Sequence, residues 1–231
     1  MKRMNKKLIG VVPDIHIPKH DPEALNWCFR RLTEERPGHI VFLGDMFDFE
    51  SISVFLKKPS FDNMFSSEIK EGCKFVERVK RLQKKIGCKI TMLGGNHETR
   101  LSKYLWKNAP ELADIPGLTI PALMNMPEDW KYISYNSEGI MIDGVTFFHG
   151  RKYSNNVCAS NIKKFYSSVV QGHGHRSTSH YVRRPDGKLL GAVEAGCLCE
   201  LNPNYASHVD WSHAMAFVKN GVPYLELKGE K

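Results

Sequence analysis

The chain has 231 residues, which is long for one small domain and short for two, so we predict a single domain spanning residues 1–231. A hydrophobic content of 42% is typical of a soluble globular protein, and no stretch approaches the roughly 18 apolar residues of a membrane span, which argues against a membrane protein. The formal net charge of +8 at pH 7 indicates an anionic partner, such as a phosphate or a nucleic acid, although a merely soluble basic protein is the alternative.

The cysteines indicate a reducing environment. Six of them are dispersed along the chain, and the apolar run at residues 8–12 is too short for the hydrophobic part of a secretory signal. We therefore expect no disulfide framework and predict a cytoplasmic location. Cys197 and Cys199 form the one close pair, which we interpret as two half-buried strand residues rather than a zinc site, because no second thiol pair lies nearby.

The N-terminal part of the chain alternates between predicted strands and predicted helices. Short apolar runs that stop at glycine or polar residues indicate buried strands, and apolar residues three and four positions apart indicate helices. Asp21-Pro22 is typical of a helix start and Pro37-Gly38 of a helix end. The predicted strands are 8–12, 39–43 and 89–93, and the helices follow Asp21 and span 66–86 and 99–108. This alternation predicts parallel strands joined by crossover helices.

The rest of the chain is interpreted as an insertion followed by short strands. Residues 109–129 are rich in proline and methionine and predict a surface insertion, with a lid over the site, a dimer contact and a substrate selector as the alternatives. Asp143-Gly144 and Asp186-Gly187 lie between apolar or β-branched runs and predict two tight hairpins. The predicted strands here are 140–142, 145–148, 169–171, 181–183, 189–193, 214–218 and 224–227.

Five short polar clusters follow predicted strands. They are Asp14-Ile15-His16, Gly44-Asp45-Met46-Phe47-Asp48, Gly95-Asn96-His97-Glu98, His149-Gly150 and Gly172-His173-Gly174-His175. Functional groups gather beyond the carboxyl ends of parallel strands, so we expect the first three clusters to share one edge of the sheet. The mixture of imidazole and carboxylate predicts two divalent ions, with Mn²⁺ the first expectation and Fe, Zn or Ni the alternatives. Paired ions of this kind clamp a phosphate and generate a hydroxide nucleophile.

Taken together, the five clusters resemble the calcineurin-like metallophosphoesterase superfamily. Its pattern is D-x-H, G-D-x-x-D, G-N-H-[DE], a histidine in an H-G or G-H pair, and G-H-x-H, and each motif is intact and in order here. The resemblance implies an α/β fold, an αββα sandwich of two mixed β-sheets flanked by helices. It also implies that one ion is held by Asp14, His16 and His175, that Asp45 bridges, and that the second ion is held by Asn96, His149 and His173.

The same resemblance implies the residues of proton transfer. His97 would be the general acid that protonates the leaving oxygen, and Asp48 would hold its ring in the right tautomer. A histidine with a pKa near neutrality and a carboxylate beside it is suited to this role. The alternative for Asp48 is a helix N-cap. We therefore predict phosphoester hydrolysis by a hydroxide that bridges two metal ions, with His97 as the acid.

Departures from the superfamily pattern bear on the substrate. Ser/Thr protein phosphatases carry an arginine where this chain has Phe49, and lipid-A-pathway pyrophosphatases carry an arginine where it has His97. The run GDMFDFESISVFLKKPS resembles the DNA-repair exonuclease branch, and GNHETRL and GCLCELNPNYA resemble small phosphoesterases of bacteriophages, which would work in the host cytoplasm. We predict a phosphodiesterase that acts on nucleic acid or nucleotides, with a phosphomonoesterase and a non-catalytic scaffold as the alternatives.

The positive charge supports a polyanionic substrate. Arg100, Arg151 and Arg176 lie closest in sequence to the predicted ligands and are candidates for bidentate phosphate contacts, with solvated surface charges as the alternative. Other cations adjoin the same segments, and nearby aromatic residues are candidates for base stacking, with core or rim packing as the alternative. These residues are Lys57, Lys58, Lys103, Lys107, Lys152, Lys163, Lys164, Tyr104, Trp106 and Tyr153.

Overall fold

A computed structural model describes residues 4–55, 64–136, 138–151, 154–202 and 209–229. Lys57, Lys58, Lys152 and Tyr153, which we considered for substrate contacts, lie outside these residues. The helices are α1 (Pro22–Glu35), α2 (Phe65–Ile86), α3 (Thr99–Asn108), α4 (Ile120–Leu123) and α5 (Val157–Phe165). The strands are β1 (Asn5–Val12), β2 (Pro37–Phe42), β3 (Lys89–Leu93), β4 (Lys131–Ile133), β5 (Ile140–Ile142), β6 (Val145–Phe148), β7 (Ser168–Gln171), β8 (Ser177–Arg183), β9 (Leu189–Ala195), β10 (Ala214–Lys219) and β11 (Val222–Leu227).

Six strands form the first sheet, in the order β11-β10-β1-β2-β3-β4. Strands β1 to β4 are parallel to one another, which confirms the crossover arrangement, while β10 and β11 add an antiparallel edge. Asp21 caps α1, since its Oδ1 accepts the Ala24 N–H at 2.6 Å. The predicted helix end was two residues late, because Arg36 already has a left-handed φ of 50° and Pro37 begins β2.

Five strands form the second sheet, in the order β5-β6-β7-β9-β8. The central strands β6, β7 and β9 are parallel, and β5 and β8 pair antiparallel at the two edges. Asp143-Gly144 connects β5 to β6 and Asp186-Gly187 connects β8 to β9, so both predicted hairpins are confirmed. Asp143 adopts a φ of 49° and Gly144 a φ of 77°, the pair of positive values that a tight hairpin turn requires.

Three groups of buried side chains hold four layers together. The two sheets pack face to face through residues such as Val11, Val41, Phe147 and Val193. Helices α1 and α2 cover the outer face of the first sheet, with a larger apolar core between them that includes Phe42. Helix α5 covers the outer face of the second sheet. Full burial of each large apolar side chain contributes about 1.5–3 kcal/mol. The chain is therefore an αββα sandwich of two mixed sheets, as the resemblance implied.

Outside the predicted insertion, one strand and one helix were not predicted from the sequence. Strand β4 has three residues and lies at the edge of the first sheet, and α5 has nine residues with no side-chain cap at Asn156. Strand β4 offers only Tyr132 and Ile133 as apolar residues, and the buried Asn161 interrupts the apolar pattern of α5. None of the helices in the described ranges is long and apolar enough to cross a membrane.

The predicted insertion at residues 109–129 contains two 3₁₀ turns and α4. Its second half packs on α2, where Ile120 and Met124 are buried and the Cys73 thiol donates to the Leu123 carbonyl at 3.4 Å. This part of the segment therefore belongs to the outer helical layer of the first sheet. A role as a lid, a dimer contact or a substrate selector stays a prediction.

Candidate metal centre

The polar clusters meet beyond the carboxyl ends of strands from both sheets. Asp14 follows β1, Asp45 follows β2, Asn96 follows β3, His149 follows β6 and His173 follows β7. Parallel strands end at a common edge, so each strand delivers its polar cluster to the same place. The shared edge that we expected for the first three clusters is present, and the second sheet brings the other two clusters to it.

The first group of donor atoms comes from Asp14, His16 and His175. The Nε2 atoms of His16 and His175 lie 3.2 Å apart, and His175 Nε2 lies 3.4 Å from Asp14 Oδ1. Asp45 Oδ2 lies 3.8 Å from His16 Nε2, and the donor atoms of Asp14, His16 and Asp45 all lie within 4.8 Å of one another. Two imidazole nitrogens that face each other beside carboxylates form an arrangement suited to a cation.

The second group of donor atoms surrounds His149. Its Nε2 lies 3.2 Å from Asp45 Oδ2 and 3.0 Å from Asn96 Oδ1, and the donor atoms of Asp45, His149 and His173 lie within 4.8 Å of one another. Asp45 therefore belongs to both groups, as a bridging ligand would. His149 Nδ1 donates to the Leu43 carbonyl at 3.0 Å, which leaves Nε2 to face the cluster.

Four of the predicted ligands have left-handed backbone conformations. The φ angles are 58° for His16, 47° for Asp45, 73° for His173 and 60° for His175. Residues with a Cβ disfavour this region by about 1–2 kcal/mol each. Such strain persists where surrounding contacts hold the backbone, and it is concentrated at functional sites. The strand ends therefore turn sharply to aim these side chains inward.

The glycines of Gly172-His173-Gly174-His175 are explained by close packing. A Cβ on Gly172 would overlap with the Asp14 carboxylate, and a Cβ on Gly174 would overlap with Glu194 Oε1. The His173 N–H donates to both carboxylate oxygens of Asp14 at 3.0 Å, so the loop needs this approach. Glycine at both positions allows the two imidazoles to reach the cluster from one short loop.

The Glu98 side chain connects the loop after β2 to the loop after β3. Its buried carboxylate accepts the N–H groups of Asp45 at 3.0 Å, Phe47 at 3.0 Å and Gly95 at 2.6 Å. Burial raises the pKa of Glu98 to about 7, and the nearby Asp45 charge adds to the effect. Glu98 is thus a support for the bridging residue, a role that the acidic position of the G-N-H-[DE] motif does not reveal by itself.

Carboxylates and imidazoles shift one another's pKa at the site. Burial raises the pKa of Asp45, but the imidazoles of His149 and His97 outweigh burial and hold it well below its usual value. Burial lowers the pKa of both His149 and His175, but Asp45 raises the pKa of His149 to about 9, and the hydrogen bond to Asp14 raises the pKa of His175 to about 10. Divalent ions bind unprotonated imidazole, so they would take the place of these protons.

His97 and Asp48 lie beside the first group of donors. His97 Nδ1 lies 3.0 Å from Asp48 Oδ1, and its Nε2 lies 3.8 Å from Asp45 Oδ2. Burial lowers the pKa of His97, but the Asp45 and Asp48 carboxylates outweigh it and raise the pKa above its usual value. Asp48 Oδ1 also lies 3.1 Å from His16 Nδ1. Phe49, rather than Asp48, precedes the next 3₁₀ turn, so the carboxylate of Asp48 does not serve as its N-cap.

The three candidate arginines differ in their surroundings. Arg100 reaches the site, where Nη2 lies 3.1 Å from His97 Nε2 and Nη1 donates to the Asp48 carbonyl at 2.7 Å. Arg151 is exposed and lies over the ring of Tyr135. Arg176 lies 3.6 Å from the buried Glu194 carboxylate and 3.4 Å from Asp210, so its charge is already balanced by protein carboxylates. Their contacts with a substrate stay predictions.

Some residues at the site were missed by the sequence reasoning. Cys199 Sγ lies 3.7 Å from His175 Nδ1, the ring of Trp211 makes an edge contact with His175, and Tyr135 makes one with His149. Lys19 Nζ lies 3.3 Å from Asp48 Oδ2. The prediction that Cys197 and Cys199 are half-buried was wrong, because both are buried, at isolated bridges beside the Asp14 turn rather than in a strand. These residues lie close to the site in space but belong to none of the five motifs, so the motifs could not identify them.

Comparison with known proteins identifies the family. The sequence profile described as "Calcineurin-like phosphoesterase" matches residues 7–223. The chain belongs to this family. A calcineurin-like phosphoesterase is a metal-dependent phosphoester hydrolase. The donor set of this chain fits two metal ions, because the group of Asp14, His16 and Asp45 and the group of Asp45, His149 and His173 share Asp45.

A bacteriophage protein is similar in sequence to this chain, and several solved structures are similar in fold. The Gene 54 protein of Mycobacterium phage L5 is 24% identical over 252 residues, covering 98% of this chain and 91% of that protein. Among solved structures, TT1561 of Thermus thermophilus is 11% identical with a TM-score of 0.48, covering 96% of this chain and 99% of that one. Yfce, a phosphoesterase from E. coli, is 13% identical with a TM-score of 0.43, covering 92% and 88%.

Proposed function

We propose that this calcineurin-like phosphoesterase hydrolyses phosphodiester bonds in nucleic acid or nucleotides. The observation that carries the proposal is the position of Phe49, where protein phosphatases of the superfamily have an arginine. Phe49 is 0% exposed and packs against Phe47 and Phe65 in the apolar core, so the position offers no cation to a phosphate. A phosphate monoester carries about −1.5 to −2 charges at pH 7, whereas a diester carries one. The missing arginine therefore favours the diester.

The proposed cofactors are two divalent ions, with Mn²⁺ first and Fe, Zn or Ni as alternatives. Asp14, His16 and His175 would hold one ion, Asn96, His149 and His173 the other, and Asp45 both. When bound, such ions polarise the phosphoryl oxygens and supply a nucleophile at neutral pH. The left-handed backbone of four ligands and the hydrogen bond from His149 to Leu43 hold the donor atoms in place for them.

We assign proton transfer to His97. His97 Nδ1 lies 2.8 Å from the Asp48 carbonyl oxygen and 3.0 Å from Asp48 Oδ1, so Asp48 accepts its proton and leaves Nε2 to face the side of Asp45, where the phosphate would lie. A proton on Nε2 can then pass to the leaving oxygen. Arg100 Nη2 donates to the same Nε2 at 3.1 Å, so a phosphate oxygen that binds the guanidinium instead would free Nε2 to carry this proton and would place the leaving group next to the acid.

The proposed location is the cytoplasm, which would be that of the host if the protein is encoded by a phage. All six cysteines are free, including the adjacent thiols of Cys197 and Cys199. Free thiols are typical of a reducing compartment. The similarity to a phage protein, at 24% identity, supports the host cytoplasm.

The proposal is tested by comparing bis-p-nitrophenyl phosphate with p-nitrophenyl phosphate as substrates of metal-stripped protein to which Mn²⁺ is returned. We expect no turnover of either substrate before the addition, and faster turnover of the diester after it. Faster turnover of the monoester would instead make the protein a phosphatase. Absence of turnover with Mn²⁺, Fe²⁺, Zn²⁺ and Ni²⁺ alike would exclude both activities and favour a scaffold.

A further inference from the structure

Helix α3 leads directly away from the metal centre. It begins at Thr99, two residues after His97, and Arg100 in its first turn is anchored at the site by the Asp48 carbonyl and by His97 Nε2. Leu101 and Leu105 are buried and fix the helix against the core. The exposed side of α3 is therefore held at a defined angle to the place where the phosphate would be cleaved.

One face of α3 carries three cations and an aromatic ring in a row. Arg100, Lys103, Tyr104 and Lys107 have the spacing i, i+3, i+4 and i+7, which places them within an arc of about 100° on the helix surface. Lys103 and Lys107 are exposed, and Tyr104 is 44% exposed. We call these four residues the α3 stripe.

The lysines of the α3 stripe differ from two of the lysines of α2. Lys74 and Lys80 on α2 each pair with a glutamate three residues earlier, at 2.6 Å and 2.5 Å. Within the described ranges, Lys103 and Lys107 make no ion pair with a carboxylate. Exposed cations without carboxylate partners attract a polyanion more strongly than paired cations do. Charge complementarity, together with the start of the stripe at the metal centre through Arg100, therefore favours this helix face for a polyanionic strand.

We propose that the α3 stripe binds single-stranded nucleic acid, so that a strand whose scissile phosphate lies at Arg100 continues along the helix to Lys107. From Arg100 to Lys107 the helix rises about 10 Å, enough to contact at least two successive phosphates. Tyr104 lies between the lysines and stacks on a base, which requires an unpaired strand. This inference rests on the proposed function and narrows its substrate from any phosphodiester to a polynucleotide.

The test is binding of a fluorescent single-stranded oligodeoxynucleotide to metal-stripped protein, so that binding is measured without cleavage. The double variant K103Q/K107Q is expected to bind about tenfold more weakly at 50 mM salt, and its slope of log affinity against log salt should shrink by about 1.4, or 0.7 for each phosphate that a lysine no longer neutralises. Tyr104→Ala should weaken binding with an unchanged salt slope, because stacking releases no counterions.

The matched control is K84Q/K85Q, which removes the same charge from exposed lysines at the end of α2. K84Q/K85Q should bind the oligonucleotide with wild-type affinity. An equal loss of affinity in both double variants would contradict specific binding at the α3 stripe. Tighter binding of duplex than of single strand would also overturn it. If the wild type hydrolyses bis-p-nitrophenyl phosphate but binds no oligonucleotide, this inference fails and diester hydrolysis stands. If the wild type binds the oligonucleotide but does not hydrolyse bis-p-nitrophenyl phosphate, binding at the α3 stripe stands and the proposed diester hydrolysis fails.

The Cys199 thiol lies beside His175 Nδ1, at the edge of the first group of donor atoms. The backbone around it is pinned, since the Leu198 N–H donates to the Asp14 carbonyl at 2.7 Å and the Cys199 carbonyl lies 2.8 Å from His213 Nε2. The thiol is buried and lies 3.7 Å from His175 Nδ1, while the other ring nitrogen faces Asp14 and His16. Histidine ligands usually donate this second N–H to a carboxylate or a carbonyl, and here a sulfur occupies that place.

We infer that Cys199 is a positioning residue for His175, accepting its Nδ1–H so that Nε2 faces the cation. Metal affinity, measured by calorimetry on metal-stripped protein, should fall about 10–100-fold in Cys199→Ala and less in Cys199→Ser, which keeps an acceptor. The control is Cys88→Ala, which removes a buried thiol immediately before β3 and should leave the metal affinity unchanged.

The position of Cys199 can also be established by spectroscopy. Cys199 Sγ lies within 4.8 Å of a ring nitrogen of both His16 and His175, so the positioning role must be separated from direct ligation. In the positioning role, the wild type loaded with Co²⁺ should show no thiolate-to-metal charge-transfer band, because the sulfur accepts from Nδ1 while Nε2 faces the cation. Such a band would make Cys199 a ligand and overturn the positioning role. An unchanged affinity in Cys199→Ala would overturn it too, and if that variant does not fold, Cys199→Ser decides the question.

Discussion

Asp45→Asn is expected to reduce diester hydrolysis by about 10⁴-fold, well beyond the roughly 10–100-fold effect of residues outside the ligand set. The reason is that Asp45 belongs to both groups of donor atoms, with Oδ2 lying 3.2 Å from His149 Nε2 and 3.8 Å from His16 Nε2. Asparagine keeps the shape but replaces a charged oxygen by an amide nitrogen, which does not bind a cation. Calorimetric titration with Mn²⁺ should show a loss of bound ions along with the loss of turnover.

The matched control for this variant is Asp143→Asn. Asp143 is exposed and has a φ of 49°, close to the 47° of Asp45, so both substitutions make the same change in the same backbone conformation. Circular dichroism should show the native fold in both variants, because Asn tolerates a positive φ. Two ions bound to Asp45→Asn with wild-type affinity would contradict the bridging role of this carboxylate.

The strand-and-turn framework of the site could be predicted from the sequence because its signals are local. Apolar runs such as 8–12 and 89–93 stop at the residues that carry the chemistry, and the Asp-Gly pairs mark their hairpins. The ligands were named from motif resemblance, and the structure then placed them within reach of one another. Strand β4 was missed because it offers only two apolar residues, and helix α5 because the buried Asn161 interrupts its apolar pattern and no side chain caps its start.

The supporting contacts could not be predicted because they join residues that are distant in sequence. Cys199 meets His175 across 24 positions, and Glu98 holds the Asp45 N–H across 53. Nothing in the local pattern around either residue shows which backbone group it will meet. Gly174 is a partial exception, because a glycine between two histidines already suggests that the backbone packs closely against a neighbour. Only the fold shows that this neighbour is Glu194.

His97→Ala is expected to reduce the turnover number by about 10²–10⁴-fold on an oligonucleotide, and by a smaller factor on bis-p-nitrophenyl phosphate. A nitrophenolate leaves readily without a proton, whereas the alkoxide of a sugar needs one. The variant removes the imidazole whose Nδ1 lies 3.0 Å from Asp48 Oδ1, but it removes none of the predicted ligands. Bound Mn²⁺ should therefore stay at the wild-type number, which separates loss of the acid from loss of the metal.

The contrast between the two substrates is what distinguishes an acid from a residue that merely supports the site. If His97 only held the loop, through its N–H to Asp45 Oδ1 at 2.9 Å, both substrates would lose the same factor, and alanine, which keeps that N–H, would cost little. His180→Ala, at an exposed position of β8, is the matched control and should leave both rates unchanged. Equal losses on the two substrates would contradict general acid catalysis by His97, because the proton matters only where the leaving oxygen is basic.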